Sequence, residues 1–177
     1  MELYPKLDGL EIEQLEVLDL GCGHNDTPVS SQVLTLPFHH LMSVDVHQPY
    51  IDLLKDKPAA ARNHGIITGE ILGFVSSSFT DSYDVTLLLD VLEHFEKREA
   101  VMLLDRIARI TRHRIILWLP IGNCPQHAMD GNPYQVHQST WEVEHLETLG
   151  FEVELLPGFH QHFHPPLDAA WAVRNLK

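Results

Sequence analysis

The stretch EVLDLGCGHND, Glu16 to Asp26, decides how this chain is read. Val17-Leu18-Asp19-Leu20 is an apolar, strand-like run, and Gly21-Cys22-Gly23 follows it directly. A strand that runs into closely spaced glycines reads as a loop for a nucleotide-like ligand. Glycine adopts backbone angles closed to other residues and lets the main chain come close to what it binds. A third glycine is expected soon after, but His24-Asn25-Asp26 offers none.

Outward from that run, strand-like and helix-like segments alternate, the pattern of an α/β sheet with parallel strands. The spacing predicts strands over 16–20, 41–46, 65–68, 83–91 and 114–120. It predicts a helix after the glycine loop, capped by Thr27 with Pro28 in its first turn, and a short amphipathic helix over 49–56. The clearest helix is 97–111, with Val101, Leu104, Ile107 and Ala108 at helical spacing. Residues 121–138 hold Gly, Pro and Asn and read as a long loop. Ser139-x-x-Glu142 reads as a capping box for a helix ending near Gly150. Strands over 151–156 and 169–175 follow, joined by too few residues for a crossover helix, so one strand at the C-terminal end should run antiparallel. The 177 residues fit one domain, with a short N-terminal segment over 1–15.

Composition narrows the partners. Hydrophobic residues make up 44% and charged residues 21%, and no apolar run approaches 18 residues, so a cytoplasmic protein without a membrane span is expected. Twelve Lys and Arg against 25 Asp and Glu give a net charge of −13, which repels phosphate backbones and makes nucleic acid a disfavoured partner. The one basic cluster, Arg106, Arg109, Arg112, His113 and Arg114, reads as cations at a helix C-terminus or, less simply, as an anion site. Cys22 and Cys124 form no metal or disulfide pattern. Trp118, Trp141 and Trp171 read as core residues.

In an open α/β sheet, ligands sit at the carboxyl ends of the strands, beside the point where strand order reverses. The informative residues are therefore those just after each strand. They are Gly21-Cys22-Gly23, then Asp45 some 24 residues after Gly21, then Gly69-Glu70, then Asp90 with Glu93-His94. A carboxylate at the end of the second strand can accept hydrogen bonds from both ribose hydroxyls. Each has a plainer account. The glycines suit an ordinary strand–helix turn, Asp45 suits a helix cap, and Asp90 and Glu93 suit caps of the long helix.

VLDLGCG, then VD, then YDVTLLLDVLEH, then RIILWLP stand in the order and spacing of the motifs of class I S-adenosylmethionine-dependent methyltransferases, and the chain resembles that family, in particular its small type 11/23-like members. STWEVEHLETLGFEVELL resembles the family's last helix and the strand after it, so the resemblance spans roughly residues 16–175. It implies a Rossmann-like, seven-stranded, mostly parallel sheet of order 3-2-1-4-5-7-6, with strand seven antiparallel and helices on both faces. It implies S-adenosylmethionine as cofactor. Asp19, Gly21, Cys22 and Gly23 would border its methionine part, Asp45 its ribose, and Val46 its adenine. Glu70 with Ile71 would face the adenine amino group, and Asp90 with Val91 would close the site under the sulfonium. In the family pattern D-x-G-x-G-x-G the third glycine falls on Asn25. Asparagine is among the few other residues that enter left-handed backbone conformations at modest cost.

Methyl transfer needs a base only when the acceptor still holds a proton as it attacks. His94, His127 and His137 are the candidates, and Tyr134 with His127 and His137 could meet the substrate in the 121–138 loop. Against a base role, the family very often carries the run around His94 whatever its substrate, and His137 suits a loop-fixing bond. Some relatives hold a divalent metal with a Glu-x-x-Glu-His run. Asp90, Glu93 and His94 come close to it, with His137 as a fourth ligand, although no metal is the simpler reading. His160, His162 and His164 precede Pro165-Pro166 and read as a hairpin loop. The short segment before the first strand implies a site open on one side, or covered by the 121–138 loop, a second copy or a partner subunit. An open site suits a large or carrier-bound acceptor, such as a saccharide or a protein, while the favoured reading overall is a methyltransferase with a small or saccharide-like acceptor. The alternatives are a non-catalytic binding subunit of the same fold and an NAD-linked oxidoreductase. The latter requires G-x-G-x-x-G, and Asp26 stands at its last glycine.

Overall fold

A computed structural model describes residues 2–161 and 163–176. Seven strands form one sheet of order 3-2-1-4-5-7-6. They are β1 (Glu16–Leu20), β2 (His40–Asp45), β3 (Asn63–Thr68), β4 (Tyr83–Leu89), β5 (Thr111–Ile121), β6 (Glu152–His160) and β7 (Leu167–Asn175). β1 to β5 pair in parallel, and β7 lies antiparallel between β5 and β6. Four α-helices accompany them: α1 (Gln48–Lys55), α2 (Ile71–Ser77), α3 (Lys97–Ile110) and α4 (Val143–Thr148). The expected Rossmann-like architecture is the one observed.

Two apolar layers hold the sheet. On one face Leu18, Leu20, Leu88, Ile115 and Leu117 pack with Leu103, Leu104 and Ile107 of α3 and Leu146 of α4. On the other, Val17, Leu41, Val85 and Ile116 pack with Ile51 and Leu54 of α1 and with Leu3 and Leu7. Alternate residues of β1 and β4 feed opposite layers, which is why both strands are apolar on both faces. Trp118, Trp141 and Trp171 are all buried, as expected of core residues.

Four local expectations are corrected. The segment after the glycine loop is a 3-10 turn, Ser30–Thr35, not an α-helix. Thr27 and Ser30 exchange bonds instead: Ser30 N–H donates to Thr27 Oγ1 at 3.0 Å and Thr27 N–H donates to Ser30 Oγ at 3.2 Å. Short polar side chains that bond nearby backbone in this way compete with helix. The capping box of α4 is made by Glu142 and His145, not by Ser139 and Glu142. Ser139 Oγ accepts the Trp141 indole N–H at 3.0 Å. The basic cluster is split, because Arg112 and Arg114 lie on β5 rather than at the end of α3. Finally, the β6–β7 connection is shorter than expected because both strands extend toward it. Its His162 lies outside the described residues.

Asp84 ties the amino ends of three strands. Its Oδ2 accepts the Glu16 N–H at 2.8 Å, and its Oδ1 accepts Arg112 Nε–H at 2.7 Å. Burial pushes its carboxyl upward, but the Arg112 and Glu16 hydrogen bonds and the Arg112 charge outweigh that and hold it below the usual carboxylate range. A depressed pKa means stability that is present above the ordinary value near 4 and is lost as pH falls through the folded value. Asp84→Ala should cost about 1.5–3 kcal/mol at pH 7, the scale for hydrogen bonds to a charged group. Urea unfolding should show that deficit shrinking below pH 4.

Candidate functional site

Strand order reverses between β1 and β4, and a cavity of about 270 Å³ opens at the carboxyl ends of the strands around that point. One half is lined by Gly21 after β1, Asp45 and Val46 after β2, and Glu70 and Ile71 after β3. Asp90, Val91 and His94 after β4 form its floor, and Tyr134 lies on the far wall.

The glycine loop is built by close approach. Gly21 has φ +67° and Gly23 φ +55°, both left-handed. A Cβ on Gly21 would stand 2.6 Å from Val91 Cγ2, so no side chain fits there. Gly21 N–H donates to Val44 O at 2.8 Å, which continues the β1–β2 ladder into the loop. Asp45 then holds the loop from below: its Oδ2 accepts Gly23 N–H at 2.8 Å and its Oδ1 accepts His47 N–H at 2.7 Å. Asp45 is therefore no side-chain cap of α1, whose N-cap is His47. Asp90 and Glu93 likewise make no cap bond to α3, whose N-cap is Glu96.

Asn25 takes φ +50°, the left-handed turn expected of the residue in the third-glycine position. It is 3% exposed, and its Nδ2 donates to Asp19 Oδ2 at 3.4 Å, a long bond, while its Oδ1 is buried without a partner. Cys22 packs with the apolar layer that contains Val29 and Val33 rather than on the cavity wall. Asp19, Gly23 and Asn25 also stand behind the wall, as support for the loop. Asp90 has φ +58°, a fourth left-handed position at the same edge of the sheet, and its N–H donates to Trp118 O at 2.8 Å.

Carboxyls crowd this edge. Burial, with the charge of Asp45 adding to it against the Asn25 hydrogen bond, pushes Asp19 up to about 7. Burial pushes Asp90 up to about 7 and Glu93 well above the usual range, with the Asp90 charge adding to the latter. Burial and the neighbouring His137 push His94 down to about 4. A neutral His94 is thus the ordinary state near pH 7.

His94, Glu93 and His137 form one cluster, their ligand-capable atoms within 4.8 Å of one another. His94 Nδ1 faces Val136 O at 3.3 Å and His137 Nδ1 faces Cys124 O at 2.5 Å, so Nδ1 is the protonated nitrogen that donates in each neutral ring. Glu93 is 2% exposed, and its Oε2 has no partner. Asp90 is not a member of this group. His137 sits behind His94, ring centroids 4.8 Å apart, and does not line the cavity. His127 is exposed on the 122–138 segment and does not line it either, which removes it from the residues the structure brings together.

Several wall residues were not foreseen: Leu72, Phe95, Glu99, Asn132, Gln135 and Gln138. Phe95 and Glu99 stood within reach of inference, since they follow the His94 run. The loop residues had no periodic signal. They are placed by tertiary bonds: Gln138 N–H and Ser139 N–H both donate to Glu93 O, and Tyr50 O–H donates to Asp130 Oδ2 at 3.1 Å.

No known family model matches this chain, and no curated protein matches it in sequence. Solved structures do match the fold. A S-adenosylmethionine-dependent methyltransferase from Methanosarcina mazei superposes with a TM-score of 0.66 at 13% identity, over 100% of both chains. One from Archaeoglobus fulgidus gives 0.63 at 16% identity, over 97% of this chain and 89% of the other. The magnesium protoporphyrin IX methyltransferase of Synechocystis PCC 6803, with bound S-adenosylhomocysteine, gives 0.62 at 17% identity, over 93% and 76%. The chain has the class I S-adenosylmethionine-dependent methyltransferase fold.

The state of Asp19 gives a pH test. Its folded pKa of about 7 lies above the ordinary 3.8, so the folded chain binds the extra proton more tightly. Stability therefore falls as pH rises from about 4 to 7. Asp19→Asn removes that dependence. Relative to the parent, the variant should gain up to about 4 kcal/mol between pH 4 and pH 8 in ligand-free denaturant unfolding, from about 1.4 kcal/mol per pKa unit. A difference that does not grow with pH would show Asp19 ionised at little cost.

Proposed function

We propose that this chain is an S-adenosylmethionine-dependent methyltransferase acting on a small or saccharide-like acceptor. The carrying observation is the cavity at the β1/β4 reversal, where Gly21, Asp45, Glu70 and Asp90 meet at the ends of four successive strands. The donor set fits the cofactor. A backbone cradle that a Cβ would fill at Gly21 suits close contact, and carboxylates suit ribose hydroxyls, an amino group and a cationic sulfur.

When bound, S-adenosylmethionine supplies an activated methyl group open to in-line displacement. The chain's own residues supply position and shielding. Asp19, Gly21, Cys22, Gly23 and Asn25 shape the loop around the methionine part. Asp45 takes the ribose hydroxyls with the lone pairs left after its bonds to Gly23 and His47. Val46 and Ile71 flank the adenine, and Glu70 accepts from its amino group. Asp90 and Val91 close the floor, and ionised Asp90 offsets positive charge there. For a hydroxyl acceptor, His94 is the candidate base. Its Nδ1–H is spent on Val136 O, so the lone pair lies on Nε2. His137 supports it from behind.

A second reading is favoured by one observation. Glu93 carries an unpartnered, buried carboxylate oxygen beside two imidazoles whose Nδ1 atoms are already committed to carbonyls. Ligating histidines are commonly fixed in that way. Glu93, His94 and His137 would hold a divalent ion with Nε2 and carboxylate donors, the ion serving as a Lewis acid for an acceptor oxygen. Ligands about 2.1 Å from one ion lie at most about 4.2 Å apart, so the set would contract slightly. Manganese or zinc titration followed by thermal melting tests it. The parent should be stabilised and His137→Ala should not, and equal responses would reject the reading.

Calorimetry with S-adenosylhomocysteine and with NAD tests the main proposal. Heat with the first and none with the second is expected. Asp45→Ala should weaken S-adenosylhomocysteine by about 1.5–3 kcal/mol, as for lost hydrogen bonds to a charged group. Undiminished affinity would place the ribose elsewhere. Turnover against an acceptor panel separates an enzyme from a binding subunit of the same fold. Asn25→Gly tests the departure in the glycine loop. Raised affinity would mark the buried, half-bonded side chain as a compromise, and lowered affinity would mark it as a contact.

A further inference from the structure

The acceptor half of the cavity has a chemistry of its own. Beyond the residues assigned above to the cofactor and His94, the candidate base, its wall includes Phe95, Glu99, Tyr134, Gln135 and Gln138. Among the described residues no lysine or arginine lines the cavity, whereas four carboxylic residues do: Asp45, Glu70, Asp90 and Glu99. The first three are engaged by the proposed cofactor reading. Glu99, in the first turn of α3, is left over.

Glu99 is exposed at the cavity, and its carboxylate makes no hydrogen bond or ion pair with the described residues. Its neighbours do not neutralise it. Lys97 points elsewhere, donating to Thr140 O at 2.7 Å with its ammonium 3.5 Å from the Trp141 ring centroid. Arg98 does not line the cavity. Two aromatic rings share the wall with Glu99. Tyr134 is 51% exposed, and Phe95 is partly exposed. Amides complete it: Gln138 Nε2 donates to His94 O at 2.6 Å, which leaves Oε1 as an acceptor for a ligand.

A carboxylate beside aromatic faces favours a cation, through Coulomb attraction and through the negative face of the rings. The net charge of −13 adds a long-range field of the same preference. An anionic acceptor would meet uncompensated like charge on entry and find no cation to pair with. Amide groups and aromatic faces are at the same time suited to hydroxyl-rich rings.

Resting on the methyltransferase reading, we infer that the acceptor carries a protonated amine, as an amino sugar does, and that Glu99 is the residue that selects it. Glu99 acts in binding and takes no part in the transfer step. The ammonium sits between Glu99 and the rings of Phe95 and Tyr134, and the hydroxyls face Gln135 and Gln138.

The test uses the full chain saturated with S-adenosylhomocysteine and three sugars of one frame and different charge: D-glucosamine, D-glucose and D-glucuronate. Affinities are read by NMR titration. The expected order is glucosamine, then glucose, then glucuronate. Glu99→Gln should weaken glucosamine about three- to fivefold, the scale of one exposed ion pair, and leave glucose unchanged. The preference should shrink at high salt. Glucuronate binding as well as glucosamine would overturn the inference. So would an unaltered preference in Glu99→Gln, or the absence of any sugar response in the loaded protein. S-adenosylhomocysteine binding is the internal control. If it fails, the methyltransferase reading falls; if it succeeds without a charge preference, only the amine inference falls.

Discussion

The site depends on how closely the main chain at Gly21 approaches Val91. The two stand where β1 and β4 diverge, and a single added carbon at residue 21 would lie 2.6 Å from a valine methyl. That spacing is below any ordinary carbon contact, so the backbone reaches the floor of the cavity only because no side chain intervenes. The positive φ at Gly21 turns the chain out of the β1 ladder at the same point. Asp45 completes the constraint from the neighbouring strand by accepting the Gly23 and His47 amides. One carboxylate thus links the turn after β1 to the turn after β2.

The same edge carries a cost that the rest of the sheet does not. Both faces of β1, β4 and β5 are apolar and buried, and that burial stabilises the fold. Against it, Asp19 and Glu93 are buried carboxyls with too few partners, and Asn25 and Glu93 each hold an unpartnered oxygen. Unpaired polar groups away from water are unfavourable. Their concentration at the carboxyl ends of the strands, with Gly21, Gly23, Asn25 and Asp90 in left-handed geometry beside them, is the pattern of a site kept for binding rather than for stability. Under the proposed reading, a cationic cofactor is the missing counter-charge.

The sheet was legible because its central strands are short apolar runs bounded by turn residues. β1 was read to the residue, and α3 to within one, since four apolar positions at helical spacing leave little ambiguity. α2 escaped notice. ILGFVSS contains a glycine and a serine pair, and only Val75 among its residues is fully buried, so its pattern is weak. The turn after the glycine loop misled for another reason. Thr27-Pro28 does resemble a helix start, but the Thr27–Ser30 exchange satisfies the same amides locally and the chain stays in a 3-10 turn. At the α4 start, Ser139 had the right residue type for a cap, yet a buried tryptophan claimed its hydroxyl first. Of the cavity, the half built on strand ends was readable from position alone. The half built on the 122–138 segment was legible only at Tyr134, because the segment has no periodic pattern and is fixed by contacts distant in sequence.

Those distant contacts explain how an irregular segment can form a binding wall. Its C-terminal end is fastened to the turn after β4, through the Gln138 and Ser139 amides on Glu93 O and through Gln138 Nε2 on His94 O. Its middle is fastened to α1, where Tyr50 O–H reaches Asp130. Burial, followed by the Asp130 bond and charge, pushes the Tyr50 hydroxyl up to about 12, so the phenol remains a donor throughout the physiological range. The segment is therefore held from both sides of the cavity, by α1 next to the end of β2 and by the turn after β4. The residues that would meet an acceptor are positioned by the same strand ends that would meet the cofactor. Seating one ligand and shaping the surface for the other become consequences of a single frame, and the irregular wall needs no helix of its own to be specific.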